Sequence, residues 1–137
     1  MADSHTKAAK SDLKKRTKEF AHQCVKLTSA LPLTDLGRHV GKQLIRCATS
    51  VAANYRAACV AQSKADFASK LSRVIEEVDE CCFWIEFLIE ENLIGESHVL
   101  SLLNEAKELT AIFMASRKTT KNRTPEFVEN QIEISDQ

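Results

Sequence analysis

Apolar side chains recur along this chain at alternating steps of four and three residues, the period of one face of an α-helix. The first such seam is Leu13, Thr17, Phe20, Cys24, Leu27 and Leu31, with Thr17 its one polar member. A chain that repeats this pattern over long stretches is restricted to helices that bury one stripe each. Glycine and proline, which disfavour helix interiors, number only 3 and 2 among 137 residues, so nothing interrupts those stretches often enough to build a sheet of short strands.

Four segments follow from the pattern. Ser11 is a candidate N-cap for the first, and Pro32 ends it, because proline disfavours helical geometry in the residue before it. Thr34 and Asp35 suit the start of the second, whose seam is Leu36, Val40, Leu44, Cys47, Val51 and Tyr55. Ala48, Ala52, Ala53, Ala57, Ala58 and Ala61 make its second half narrow enough for close approach by neighbours. Ser63-Lys64-Ala65-Asp66 reads as a capping box opening the third, which carries Phe67, Leu71, Val74, Val78, Cys81, Ile85 and Leu88. Gly95 is its expected C-cap. Val99, Leu102, Leu103, Ala106, Leu109, Ile112 and Phe113 define the fourth. The expectation is an all-α, antiparallel up-down-up-down four-helix bundle over residues 11–121, with helices at about 11–31, 35–61, 64–93 and 96–120. Residues 1–10 are expected to be a flexible N-terminus, and 122–137 an acidic, disordered tail.

The third helix carries more apolar surface than one buried face needs. Phe83, Trp84 and Phe87 widen its stripe, which predicts a subunit interface and a homo-oligomer. Arg46, Asn54 and Arg56 form a polar edge on the second helix, predicted to meet Glu77 and Glu80 of the third, while Glu76 and Asp79 face water.

Catalytic and metal chemistry find little to work with. A di-iron bundle needs a histidine three residues after a glutamate on two helices, and of His5, His22, His39 and His98 only His22, three residues after Glu19, is so placed. There is no nucleophile elbow, phosphate-binding glycine loop or zinc-protease motif, so no catalytic residue, metal or cofactor is implied, and a metal or enzyme site built on the Glu76, Glu77, Asp79 and Glu80 carboxylates of the third helix is a distant alternative. Cys24, Cys47, Cys59, Cys81 and Cys82 are odd in number and lack a C-x-x-C pair, which fits reduced, mostly buried thiols in a cytoplasmic protein. Met1–Lys10 lacks the apolar core of a signal peptide, and no membrane segment is expected.

The net charge is zero but unevenly spread. Arg38, Lys42 and Arg46 recur every four residues on the second helix. Lys14, Lys15 and Lys18 lie on the first, and Arg117, Lys118, Lys121 and Arg123 at the end of the fourth. In an up-down-up-down bundle the last two clusters are expected to share one end, a candidate contact surface for RNA or DNA. A chain of neutral total charge is equally suited to a protein partner.

Several motifs in order carry a resemblance. Gly41-Lys42-Gln43-Leu44-Ile45-Arg46 leads into Ala48-Thr49-Ser50-Val51-Ala52-Ala53-Asn54-Tyr55-Arg56. Ser63-Lys64-Ala65-Asp66-Phe67, Glu76-Glu77-Val78-Asp79-Glu80, Trp84-Ile85-Glu86 and Glu108-Leu109-Thr110-Ala111-Ile112 follow. Over roughly residues 11–120 the chain resembles the bacterial four helix bundle protein family, also called the 23S rRNA intervening-sequence protein or S23 family. The resemblance implies a homopentameric ring of antiparallel bundles without enzymatic activity. A similar pentamer serves diversity-generating retroelements as an accessory protein that binds nucleic acid and a reverse transcriptase, which makes nucleic-acid binding the leading expectation by analogy. Val60 and Gln62 depart from the arginine that relatives often carry after Asn54-Tyr55-Arg56.

Overall fold

The computed structural model describes residues 4–123, and side chains within 7–122. It is all-helical: α1 (Ser4–Thr28), α2 (Asp35–Ala58), α3 (Lys64–Glu90) and α4 (Glu96–Arg123), with no strand among the described residues. Helices consecutive in sequence are neighbours in space, and α1 meets α4 only sparsely.

The caps explain where the helices turn. Thr34 accepts a hydrogen bond from the Gly37 amide at 3.1 Å, relieving one of the unpaired donors at the start of α2. Ser63 does the same for the Asp66 amide at 3.0 Å, and Asp66 accepts back from the Gln62 amide at 3.3 Å. The capping box therefore forms, with its return bond shifted one residue earlier than the usual partner.

The boundaries differ from expectation in five places. Ser11 is not a cap: α1 begins at Ser4, and Ser4–Lys10 is helical rather than flexible. Alanine and lysine between these points favour helix, and no glycine or proline opposes it. At the other end α1 stops at Thr28, and Ser29, Ala30 and Leu31 tighten into three-residue turns that still deliver Leu31 to the core. The second helix ends at Ala58 rather than 61, through similar turns at Val60 and Ala61. The third ends at Glu90 rather than 93, and Gly95 is not its cap. Asn92 takes the left-handed conformation instead, at φ 55°. The Leu93 amide then reaches the Leu88 carbonyl at 3.0 Å, and the Asn92 amide that of Ile89 at 3.0 Å. This is a Schellman motif closed by asparagine, the residue after glycine most at ease there. The fourth helix runs to Arg123 rather than 120, so Asn122 and Arg123 of the expected disordered tail are helical, and the tail beyond Arg123 lies outside the described residues.

The core is a continuous cluster drawn from all four seams. Phe20, Cys24, Leu44, Cys47, Val51, Leu71, Val74, Val78, Cys81, Ile85, Leu88, Leu109 and Phe113 are buried. Tyr55 and Phe113 meet across it with ring centroids 5.1 Å apart. Thr17 is also fully buried, and its hydroxyl donates to the Leu13 carbonyl at 2.8 Å, so the polar member of the first seam leaves no unpaired group.

Two glycines one turn apart have different reasons to be there. A β-carbon on Gly37 would stand 2.1 Å from the Pro32 carbonyl oxygen, whereas one on Gly41 would meet Leu31 and Thr28 at 3.6 Å, ordinary contact. Gly37→Ala is expected to cost roughly 1–3 kcal/mol by forcing the α1–α2 connection aside. Gly41→Ala is expected to be neutral or to stabilise by up to about 1 kcal/mol through helix propensity. Urea denaturation of the two variants tests the contrast, and equal losses would contradict it.

Candidate functional site

One edge of the α2–α3 pair collects the polar and aromatic residues with most to offer a partner. Arg46 on α2 donates to Glu80 on α3, and Glu80 also accepts from the Trp84 indole nitrogen at 3.1 Å. Glu77 Oε2 lies 3.5 Å from Arg46 Nη1, close enough for Coulomb attraction but accepting no hydrogen bond although it is buried. Trp84 is thereby fixed at the centre of an aromatic ridge. Its ring lies 4.9 Å from Phe83 and 6.0 Å from Phe87, and His39 of α2 meets its edge at 5.7 Å. Phe87 and Trp84 are half-buried, but Phe83 is 54% exposed. An exposed phenylalanine in contact with two further rings forms a coherent apolar surface.

The predicted polar edge assembles only in part. Arg46, Glu77 and Glu80 come together, and Glu76 and Asp79 are exposed. Asn54 and Arg56 do not join. Asn54 donates to the Ser50 carbonyl and hydroxyl of its own helix at 2.8 and 2.9 Å. Arg56 is exposed, ten residues beyond Arg46 and so about 15 Å along α2.

Burial opposes the charged form of Glu80, but the hydrogen bonds from Arg46 and Trp84 outweigh it and hold the carboxyl below its ordinary value of 4.5. A carboxylate depressed in the folded state stabilises above its unfolded pKa, and that contribution is lost as pH falls through the lower folded value. Arg46→Met is expected to cost about 1 kcal/mol at pH 7, since the pair is largely exposed. The loss should shrink below pH 4. Urea midpoints of both proteins at pH 7 and pH 3 check this, and a loss independent of pH would contradict it.

The basic residues predicted to contact nucleic acid are distributed differently from expectation. Arg38 donates to the Leu33 carbonyl at 3.0 and 3.3 Å and closes the α1–α2 loop, and Arg46 is engaged by Glu80, leaving Lys42 of that stripe exposed. Lys14, Lys15, Lys18 and Lys118 are exposed. Arg117 donates to Ser72 at 3.3 Å, Lys121 is partly buried, and the side chain of Arg123 lies outside the described residues.

Arg16, which no local pattern singles out, grips Glu105 of α4 with two 2.7 Å bonds and reaches Glu108 at 3.5 Å. The bonds to Glu105 raise its pKa further. This pair sets the level of α1 against α4 and separates two clusters expected to coincide. Arg117 is twelve residues past Glu105, about 18 Å along the helix from the level of Lys14–Lys18. Lys10, on the unexpected first turns of α1, lies nearer the end of α4 than Lys14–Lys18 do. It lines a groove of about 650 Å³ with Leu13, Tyr55, Phe67, Ile112 and Thr119, its ammonium 4.6 Å from the Phe67 ring centroid. That groove draws on all four helices, and no sequence spacing announces it.

No group of three or more His, Cys, Asp or Glu able to hold a metal occurs among the described residues. No helix among them is long and apolar enough to cross a membrane.

Comparison with known proteins places this geometry. A crystal structure at 1.70 Å of a Bacteroides thetaiotaomicron VPI-5482 protein of unknown function, from the S23 ribosomal protein family, superposes with a TM-score of 0.71 at 33% identity. The match covers 77% of this chain and 97% of that one. No curated protein matches. The model of the 23S rRNA-intervening sequence protein matches residues 9–115, which take in α1 from its second turn, all of α2 and α3, and most of α4. The chain belongs to the 23S rRNA-intervening sequence protein family.

Proposed function

We propose that this chain is a non-enzymatic, cytoplasmic binding protein whose antiparallel bundles associate into a homo-oligomer through the Phe83–Trp84–Phe87 ridge. The antiparallel arrangement is supported by contacts whose numbers rise on one helix as they fall on the next. His39 meets Trp84 and Arg46 meets Glu80, while on the next pair Ser72 meets Arg117 and Cys82 meets Thr110. The observation that carries the association is the exposed Phe83 at the head of a ridge held rigid by the Glu80–Trp84 bond. Rigid aromatic groups lose little entropy on being covered, which is why they anchor interfaces. The groove supports a binding role, since among the described residues its lining sets the apolar Leu13, Phe67 and Ile112 beside the polar Lys10 and Tyr55. Five copies in a ring is the assembly the family resemblance implies.

Light scattering at micromolar concentration tests the association. The expected mass is a multiple of 15.3 kDa, five-fold for the ring. A monomer would overturn the proposal.

A second reading adds nucleic acid as the partner, favoured by exposed Lys14, Lys15 and Lys18 on α1 and Lys118 on α4. Repetition around an oligomer would multiply these contacts, and phosphate affinity climbs steeply with their number. A mobility shift with RNA and DNA that fades between low and physiological salt supports it. Absence of a shift at low salt points to a protein partner instead.

A further inference from the structure

We propose that Cys47 and Cys81 are a modification site, forming a reversible disulfide that staples α2 to α3 when the protein meets hydrogen peroxide. The two sulfurs lie 3.2 Å apart, and both side chains are fully buried. Closing that gap to an S–S bond of about 2.05 Å asks roughly 0.6 Å of each sulfur. The surroundings hold the thiols in place. The residues just before them, Arg46 and Glu80, pair across the same two helices and set their register. Small Ala48 beside Cys47 is fully buried and lets the helices approach closely.

The chemistry needs no group beyond the two thiols and the peroxide. During a transient opening of the bundle, one sulfur attacks a peroxide oxygen. The O–O bond breaks, leaving a sulfenic acid and releasing one water. The second sulfur then attacks the sulfenic sulfur, the S–O bond breaks, and a second water leaves. Two thiols lose two protons and two electrons, and hydrogen peroxide is reduced to two waters. The contact with Cys47, together with burial, holds Cys81 in its neutral form, so the pair is inert at rest and reacts only as fast as the core opens. Cys59, half-exposed, lacks such a neighbour and is expected to oxidise without cross-linking.

The staple should also be felt in stability. Its ends are 34 residues apart in sequence, so it constrains the unfolded chain substantially. Melting should rise by several degrees.

The test exposes the full chain to millimolar hydrogen peroxide near neutral pH, followed by trypsin without reduction and mass spectrometry. The expected product joins peptide 47–56 to peptide 74–107 with the loss of two hydrogens, reverses with dithiothreitol, and accompanies a higher melting temperature. Because Cys82 shares the second peptide, the link must persist in Cys82→Ala. It must vanish in Cys47→Ala and in Cys81→Ala, with circular dichroism confirming that at least one of these remains helical. Cys59 oxidised with no 47–81 link, a link that disappears with Cys82, or a cross-linked protein that melts lower would each overturn the proposal.

Discussion

Phe113→Ala should bring the bundle close to the edge of unfolding. Phe113 is fully buried and packs its ring against Tyr55, itself 2% exposed, across the diagonal of the core. Truncation removes the burial of a large side chain and leaves a void that surrounding helices, capped and paired as they are, fill only in part. Such substitutions cost about 3–5 kcal/mol, and the ring pair adds to the upper end. Domains of this size are stable by only about 5–15 kcal/mol, so the loss takes a large share of the whole. Chemical denaturation followed by circular dichroism should show a midpoint displaced to much lower urea. Met114→Ala, one residue on and 49% exposed, is the control expected to change it little. Comparable losses in the two variants would mean that Phe113 does not anchor the core.

Phe83→Glu is the counterpart on the surface. Phe83 is more than half exposed, so the free subunit tolerates the carboxylate with little change in stability. In the proposed assembly the same carboxylate must be desolvated against Trp84 and Phe87, with Glu80 already nearby. Aromatic anchors at interfaces are worth about 2–4 kcal/mol each, so the dissociation constant per contact should rise by a factor of roughly 30 to 1,000. Light scattering should show the mass falling to that of the 15.3 kDa monomer while the helical spectrum is retained. Trp84→Ala should weaken association as well, and it also removes a donor to Glu80, which separates it from Phe83→Glu by a loss of monomer stability. An assembly unmoved by either change would place the interface on another face.

Particular elements show how far the sequence alone carried. The four seams were legible because a helix that buries one stripe must repeat its apolar residues at that period, and nearly every predicted seam residue is buried. Thr34 and Ser63 were legible as caps because a side-chain oxygen before an apolar run has an amide to satisfy. The end of α3 was not. Both Asn92 and Gly95 are suited to a left-handed residue, and the choice falls to where Leu93 and Ile94 turn back onto the core. The start of α1 was missed for the opposite reason, since Ser11 resembles a cap but nothing before it stops a helix. At the site, Arg46 and Glu80 could be matched as opposite charges on adjacent helices. Arg16 and Glu105 are 89 residues apart, and only the three-dimensional level of α1 against α4 pairs them. That one pairing also moved Lys14–Lys18 away from Lys118.

The sparse meeting of α1 with α4 has a consequence for the order in which the molecule breathes. Protection of backbone amides follows the cost of the opening that exposes them, and that cost tracks how many neighbours a helix must leave. The middle of α2 lies between α1 and α3, so its amides should exchange with solvent deuterium only on global unfolding. The first turns of α1, beyond the Arg16–Glu105 clasp, have the groove on one side and water on the other, and their amides should exchange first. The clasp then divides α1 into a fast-exchanging stub and a slow-exchanging body, and any ligand that fills the groove should announce itself by slowing the stub.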